Sequence, residues 1–199
     1  MDIFKSGLLS PMGIEEKSKP FDDPKYIYEV KYEWARCLAY LEAGRTRLID
    51  KKCEDISGKF PELSELHMQV RGRCILDGEL VVGTGDRSCR EPLHRRSNLA
   101  HPLMIKMGAK FMPAVFVAFD IIYYHNRQIT QFPLISRKKL LGRIVHENRQ
   151  IKLSRYVEGA GAALFEAARA QRLGGILAKK KSAPYLIGEN TKDWIKIKN

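Results

Sequence analysis

Tyr28-Glu29-Val30-Lys31-Tyr32-Glu33-Trp34-Ala35-Arg36 places a lysine at the end of an alternating run. Tyr26, Tyr28 and Val30 fall to one side and Lys25, Glu29 and Lys31 to the other, so a strand over 27–31 sets Lys31 on the face that carries Glu29. A ligand on that face can reach both. A lysine attacks phosphorus only as the free amine, a form favoured by burial or by cationic neighbours. Taken alone, a lysine after a short strand is ordinarily a solvated surface charge. The rest of the chain decides between the two readings.

The chain has 199 residues, enough for one domain or a compact two-lobed one with a sizeable core. Cys37, Cys53, Cys74 and Cys89 are scattered singly, with no Cys-x-x-Cys pair. That argues against structural zinc and fits a reducing compartment, with buried or idle thiols. There is no apolar run of membrane-spanning length, and Met1-Asp2-Ile3-Phe4-Lys5 does not begin a signal peptide, so the expectation is a cytoplasmic protein without membrane attachment. The formal charge of +12 draws polyanions, and nucleic acid is the first partner it suggests. The same charge on a chain that is 44% hydrophobic also suits a globular protein that lysines merely solvate.

Residues 1–24, with Pro11, Gly13, Pro20 and Pro24, read as an irregular leading segment. Short strands follow over 27–31, 36–41 and 46–50, with a hairpin turn at Glu42-Ala43-Gly44. Leu63, Leu66 and Val70 have helical spacing after Pro61, which predicts a helix over 60–70. Residues 74–82 read as a strand broken by an acidic turn at Asp77-Gly78-Glu79, and 98–107 as loop and short helix. An apolar strand over 114–123 holds one acid, Asp120. Helices are predicted over 133–148, with a basic face, and over 159–171, and strands over 174–179 and 193–198. Mostly antiparallel strands with intervening helices make an α+β domain.

Lys31, Arg36, Glu79, Phe119, Lys179, Lys196 and Lys198 lie on or beside these strands, in that order. The stretches are Glu29-Val30-Lys31-Tyr32, Leu76-Asp77-Gly78-Glu79-Leu80, Phe116-Val117-Ala118-Phe119-Asp120, Gly175-Ile176-Leu177-Ala178-Lys179, and Ser182 to Tyr185 running on through Gly188 to Trp194-Ile195-Lys196-Ile197-Lys198. Over nearly the whole chain this series resembles the covalent nucleotidyltransferases, and most closely the adenylation domain of ATP-dependent DNA ligases of the bacterial and archaeal end-joining type. The resemblance implies an ATP-grasp-like nucleotidyltransferase domain of antiparallel sheets flanked by helices, spanning residues 1–199. It implies that Lys31 takes AMP from ATP as a phosphoramidate while pyrophosphate leaves. Glu29, Arg36, Lys51, Glu79, Phe119 and Lys179 would bind the nucleotide: Arg36 at the sugar or phosphate, Glu79 at the ribose or a magnesium ion, Phe119 stacked on adenine. Lys179, Lys196 and Lys198 would face the α-phosphate. In isolation each has an ordinary reading: turn chemistry for Glu79, core for Phe119, the wet face of an edge strand for Lys196 and Lys198.

The chain also departs from the family pattern. The first motif reads Lys-x-Asp-Gly-x-Arg in the family, and here Glu33 and Trp34 replace Asp-Gly. Asp50-Lys51-Lys52-Cys53 stands for Ser-Arg-Asn-Gly, and Lys51 keeps the charge without the planar fork of arginine. Gly174-Gly175 stands for Glu-Gly, Asn190 for arginine, and Leu93 for the phenylalanine ahead of Arg95-Arg96. These changes imply impaired or abolished adenylation in a retained fold. The sequence stops at Asn199, just after the fifth motif, so an oligonucleotide-binding barrel is expected to be absent from this chain.

The first expectation is therefore a monomeric DNA ligase adenylation domain that passes AMP to the 5′-phosphate of nicked or broken duplex DNA in repair and recombination, with a fused or separate barrel and end-joining proteins as partners. The alternative is a catalytically impaired nucleotide- or DNA-binding module retaining the ligase fold. An RNA ligase or capping-type enzyme comes third.

Overall fold

Period-two patterning builds two sheets, whose facing sides supply the cleft. The computed structural model describes residues 3–6, 9–17, 19–31, 35–82 and 90–199. In chain order the elements are α1 (Ile3–Ser6), β1 (Gly13–Lys17), β2 (Tyr26–Val30), β3 (Ala35–Glu42), β4 (Arg45–Asp50), β5 (Cys74–Val82), α2 (Arg90–Ser97) and α3 (Pro102–Phe111). There follow β6 (Ala114–Tyr124), β7 (Arg127–Gln128), α4 (Leu134–Ile144), β8 (Ile151–Leu153), β9 (Tyr156–Glu158), α5 (Gly161–Ala170), β10 (Ile176–Lys180) and β11 (Asn190–Ile197). One sheet runs β1-β11-β10-β2-β9 and the other β4-β3-β5-β6-β7, with β8 also on β6. Pairing is antiparallel except for β1 on β11 and β8 on β6. The α+β expectation holds.

Ile27 and Trp194 from the first sheet meet Leu38, Tyr40, Ile75, Phe119 and Ile122 from the second in a shared buried layer. On the outer side of the first sheet, Tyr28, Ile176, Ala178 and Ile197 pack with Phe165 and Ala168 of α5. Behind the second sheet, Leu76, Leu80, Phe116 and Ile121 pack with Leu63, Leu66 and Leu93. Cys37 and Cys74 are buried there, and burial pushes the Cys74 thiol up to about 12, which makes it an idle hydrophobe. None of the described helices is long and apolar enough to cross a membrane.

Four expectations are corrected. The leading segment is not irregular throughout, because residues 13–17 add an edge strand parallel to β11. Residues 60–70 form short 3-10 turns, Pro61–Leu63 and Leu66–Gln69, instead of a helix. Leu63 and Leu66 are drawn into the core, while Val70 pairs with Val145 as an isolated bridge, so no single helical face satisfies all three. The helix expected to be short within 98–107 runs from Pro102 to Phe111.

Lastly, β5 passes unbroken through Asp77-Gly78-Glu79. Both acids point toward the other sheet, and Gly78 is there for packing. A Cβ on it would lie 2.5 Å from the Phe116 ring and 2.6 Å from the Val117 carbonyl oxygen. Gly78→Ala is therefore expected to lose about 1–3 kcal/mol of stability by overpacking, read as a lower urea midpoint in equilibrium unfolding. An unchanged midpoint would contradict this account of the glycine.

Candidate active site

Alternation on β2, β10 and β11 brings Glu29, Lys31, Leu177, Lys179, Trp194, Lys196 and Lys198 to one face. The pairings Glu29↔Leu177 and Leu177↔Lys196 make one row across the sheet, and Ile27↔Lys179↔Trp194 the next. Lys31 directly follows β2, and its backbone N–H donates to the Gly175 carbonyl at 2.9 Å. Gly175 has φ 102°, and a Cβ there would run into the Ile197 carbonyl and lie 2.9 Å from the Lys198 Cα. Glycine at this position lets the ends of β2, β10 and β11 close together. Lys31 and Lys196 are half-buried and Lys198 exposed. Two strand spacings, about 9.5 Å, separate β2 from β11, so long lysine side chains can converge above β10.

Across the cleft, β3, β5 and β6 present Arg36, Asp77, Glu79 and Phe119. Arg36 is opposite Glu79 in register. Its guanidinium grips buried Asp77 with both arms, Nε to Oδ1 at 2.7 Å and Nη2 to Oδ2 at 2.5 Å. The Tyr185 hydroxyl donates to the same carboxylate at 2.6 Å and accepts from the Met12 backbone N–H at 3.1 Å. Burial alone would lower the Arg36 pKa, but the Asp77 charge outweighs it and the net shift is upward. Burial and the neighbouring Asp77 charge push the Tyr185 phenol well up.

Glu29 is 2% exposed and is held from three directions. Lys179 donates to Oε2 at 3.0 Å, Ser154 Oγ to the same atom at 2.8 Å, and Lys138 of α4 pairs with Oε1. Burial would raise this carboxyl, yet the Lys138 and Lys179 charges outweigh it and hold it below the usual carboxylate range. Burial lowers the Lys179 pKa, with Glu29 pulling the other way. The Lys179 Nζ stands 4.2 Å from the centroids of both Phe119 and Trp194, and Arg36 lies over the Phe119 ring at 4.8 Å. Phe119 is 6% exposed, with these two cations against its ring.

Glu79 makes no ion pair among the described residues. Burial pushes its carboxyl up to about 7, against the pull of the Arg36 and Lys179 charges. A carboxyl with a folded value above its ordinary 4.5 binds more protons folded than unfolded, so this group lowers stability as pH rises from about 4.5 to about 7. Glu79→Gln is expected to remove that slope, a difference on the order of 1–3 kcal/mol between pH 4.5 and 7.5, checked by urea unfolding of both proteins at the two pH values. Parallel pH profiles would overturn it.

Lys51 lies on the exposed turn after β4 and is not brought into the cleft. Glu33 and Trp34 fall outside the described residues, as does Cys89. Gly174 supplies no carboxylate, and Asn190 packs against Gly13, where a Cβ would collide with it. Asp77, Lys138, Ser154, Tyr185 and the Trp194 ring belong to the site and carried no role in the sequence reading. Lys138 did leave a signal, since Leu134, Arg137, Lys138 and Leu141 form an i, i+3, i+4, i+7 stripe that buries two cations. Among the described residues no three His, Cys, Asp or Glu side chains converge as a metal cage. Glu79, which makes no ion pair among the described residues, is the cleft carboxyl that would hold a magnesium ion bound with the nucleotide.

A family model described as "ATP dependent DNA ligase domain" matches residues 9–198. The chain is 29% identical over 192 residues to the SPbeta prophage-derived DNA ligase-like protein LigB of Bacillus subtilis, covering 96% of this chain and 67% of that protein. It is 28% identical to a DNA ligase of Archaeoglobus fulgidus, over 85% of this chain and 31% of the relative. The chain thus spans two-thirds or less of these relatives' lengths. Among solved structures, a mycobacterial DNA ligase D complexed with ATP and MES superposes with a TM-score of 0.77 at 20% identity, over 100% of this chain and 62% of that one.

Proposed function

The chain belongs to the family of ATP dependent DNA ligase domains, and on that premise we propose that it is an adenylation domain in which Lys31 is the nucleophile. The unprotonated Lys31 amine attacks the α-phosphorus of ATP; an N–P bond forms, the bond to pyrophosphate breaks, and the amine sheds a proton. Lys196 and Lys198 share the face of Lys31 and would stabilise charge on the phosphoryl oxygens. Phe119 stacks on the base and Glu79 meets the ribose or a magnesium ion, which neutralises triphosphate charge when bound. AMP then passes to a 5′-phosphate of nicked or broken duplex DNA, and a 3′-hydroxyl displaces it to seal the strand in repair or recombination. A partner oligonucleotide-binding domain and end-joining proteins fit this role.

The observation that carries the reading is the cationic face on which Lys31, Lys179, Lys196 and Lys198 oppose Arg36, Glu79 and Phe119. A second reading, a binding module that retains the fold and transfers nothing, is favoured by Gly174 and by Lys179 filling the aromatic slot. Intact-protein mass spectrometry after incubation with ATP and magnesium separates them. A gain of one AMP, reversed by added pyrophosphate, is expected; a folded, ATP-binding chain that gains no mass sinks the enzyme reading and leaves the binding module.

A further inference from the structure

Helix α3 lies behind the second sheet, against the turn Pro61–Leu63, away from the nucleotide cleft. It buries Gly108, where a Cβ would lie 2.8 Å from Leu99 and 2.9 Å from the Arg96 guanidinium. The opposite face is bare and apolar: Leu103 is 60% exposed, Met104 47%, Met107 45% and Phe111 68%. At about 100° per residue, Met107, Phe111 and Met104 fall within about 100° to one side of Leu103, while Lys106 and Lys110 fall within about 60° to the other. A continuous apolar seam therefore runs along the helix with a cationic rail beside it, and α3 holds no acidic residue.

Charge selects what covers this seam. Lys106 and Lys110 are exposed on α3, Arg96 beneath it is buried and already paired with Glu62, and the whole chain is at +12. A second copy would set rail against rail. Nucleic-acid affinity comes mostly from phosphate contacts, which the Leu103, Met104, Met107 and Phe111 side chains cannot make. The two lysines of α3 fall short of the roughly four to eight basic residues that hold a helix on an anionic lipid surface. Methionine-rich faces adapt to helical partners.

We propose that α3 is a docking surface for an acidic amphipathic helix of a partner protein. The partner's apolar seam packs on Leu103, Met107 and Phe111, and its carboxylates at i, i+4 spacing meet Lys106 and Lys110. Docking there leaves the cleft open to nucleotide.

The full chain is titrated with a fluorescent synthetic helix of roughly 18 residues, with leucines along one face and glutamates at i, i+4 along its edge. A scrambled peptide and a lysine-edged peptide serve as controls. Binding to the glutamate-edged helix is expected to be saturable and roughly tenfold tighter than to either control. Phe111→Asp should abolish it, and the pair Lys106→Glu, Lys110→Glu should reverse the preference toward the lysine-edged helix. Circular dichroism checks that these exposed substitutions leave the fold intact, and AMP incorporation should stay within about twofold of wild type. Failure of the glutamate-edged helix to bind, or equal binding of all three peptides, overturns the proposal. So does dimerisation, or binding to phosphatidylserine vesicles, that Phe111→Asp removes. AMP incorporation is read separately, so loss of one result leaves the other standing.

Discussion

Lys31→Arg is expected to bind ATP and to gain no AMP, with nucleotide transfer down by a factor on the order of 10³ or more. The substitution keeps the positive charge beside Lys196 and Lys198 and the backbone bond from residue 31 to Gly175, so the strand ends and the electrostatics of the face are conserved. What it removes is the free amine, because a guanidinium stays protonated at every pH a folded protein tolerates. Lys31→Ala should be equally silent by mass spectrometry while losing the charge as well. Comparing the two by calorimetric ATP titration separates binding from transfer. An AMP adduct on Lys31→Arg would move the nucleophile to another lysine of the face.

Asp120→Ala is expected to cost about 3–5 kcal/mol, a large share of the roughly 5–15 kcal/mol that holds a domain together. Asp120 and Arg137 are both fully buried and pair through two bonds of 2.8 Å. The same guanidinium also donates to the Phe132 and Ala183 carbonyls, tying β6, α4 and the segment before Tyr185 into one knot. Removing the acid strands a buried cation. The neighbouring Lys138 reaches Glu29 from the same helix, so loosening α4 also disturbs the floor of the cleft. Thermal unfolding should show the midpoint falling by roughly 6–20 °C, and adding Arg137→Met should recover part of the loss because no unpaired charge remains. A single mutant within 1 kcal/mol of wild type, about 0.7 of a pKa unit, would contradict the account.

Local periodicity made the lysine face legible: alternation around Lys31 and from Trp194 to Lys198 fixed which residues share a side, and the sheet agrees. Asp77-Gly78-Glu79 misled because a turn and a cleft strand use the same letters. Only the partners, Arg36 for Asp77 and the Phe116 ring for Gly78, distinguish them, and they lie far away in sequence. Arg137 and Lys138 belong to the predicted basic face of this helix, and only the carboxylates of Asp120 and Glu29 show that both cations are buried. The helix expected over 60–70 failed for a related reason, since spacing reports which residues are apolar and not that they are buried in different places.

The order in which the strands are paired carries a consequence for synthesis. β3, β4, β5 and β6 pair with sequence neighbours, whereas β2 waits for β9 and then β10, Glu29 and Lys179 being 150 residues apart, and Met12 meets Tyr185 across 173. At about 5–20 residues per second, roughly 8–30 s pass between translation of β2 and arrival of β10. The second sheet can mature while the first holds only β1 and β2, which do not pair with each other, leaving Ile27 and Tyr28 uncovered, an invitation to holdase chaperones. The nucleotide cleft is the last feature to close, and until β10 emerges, Lys31 in the nascent chain is a lysine like any other.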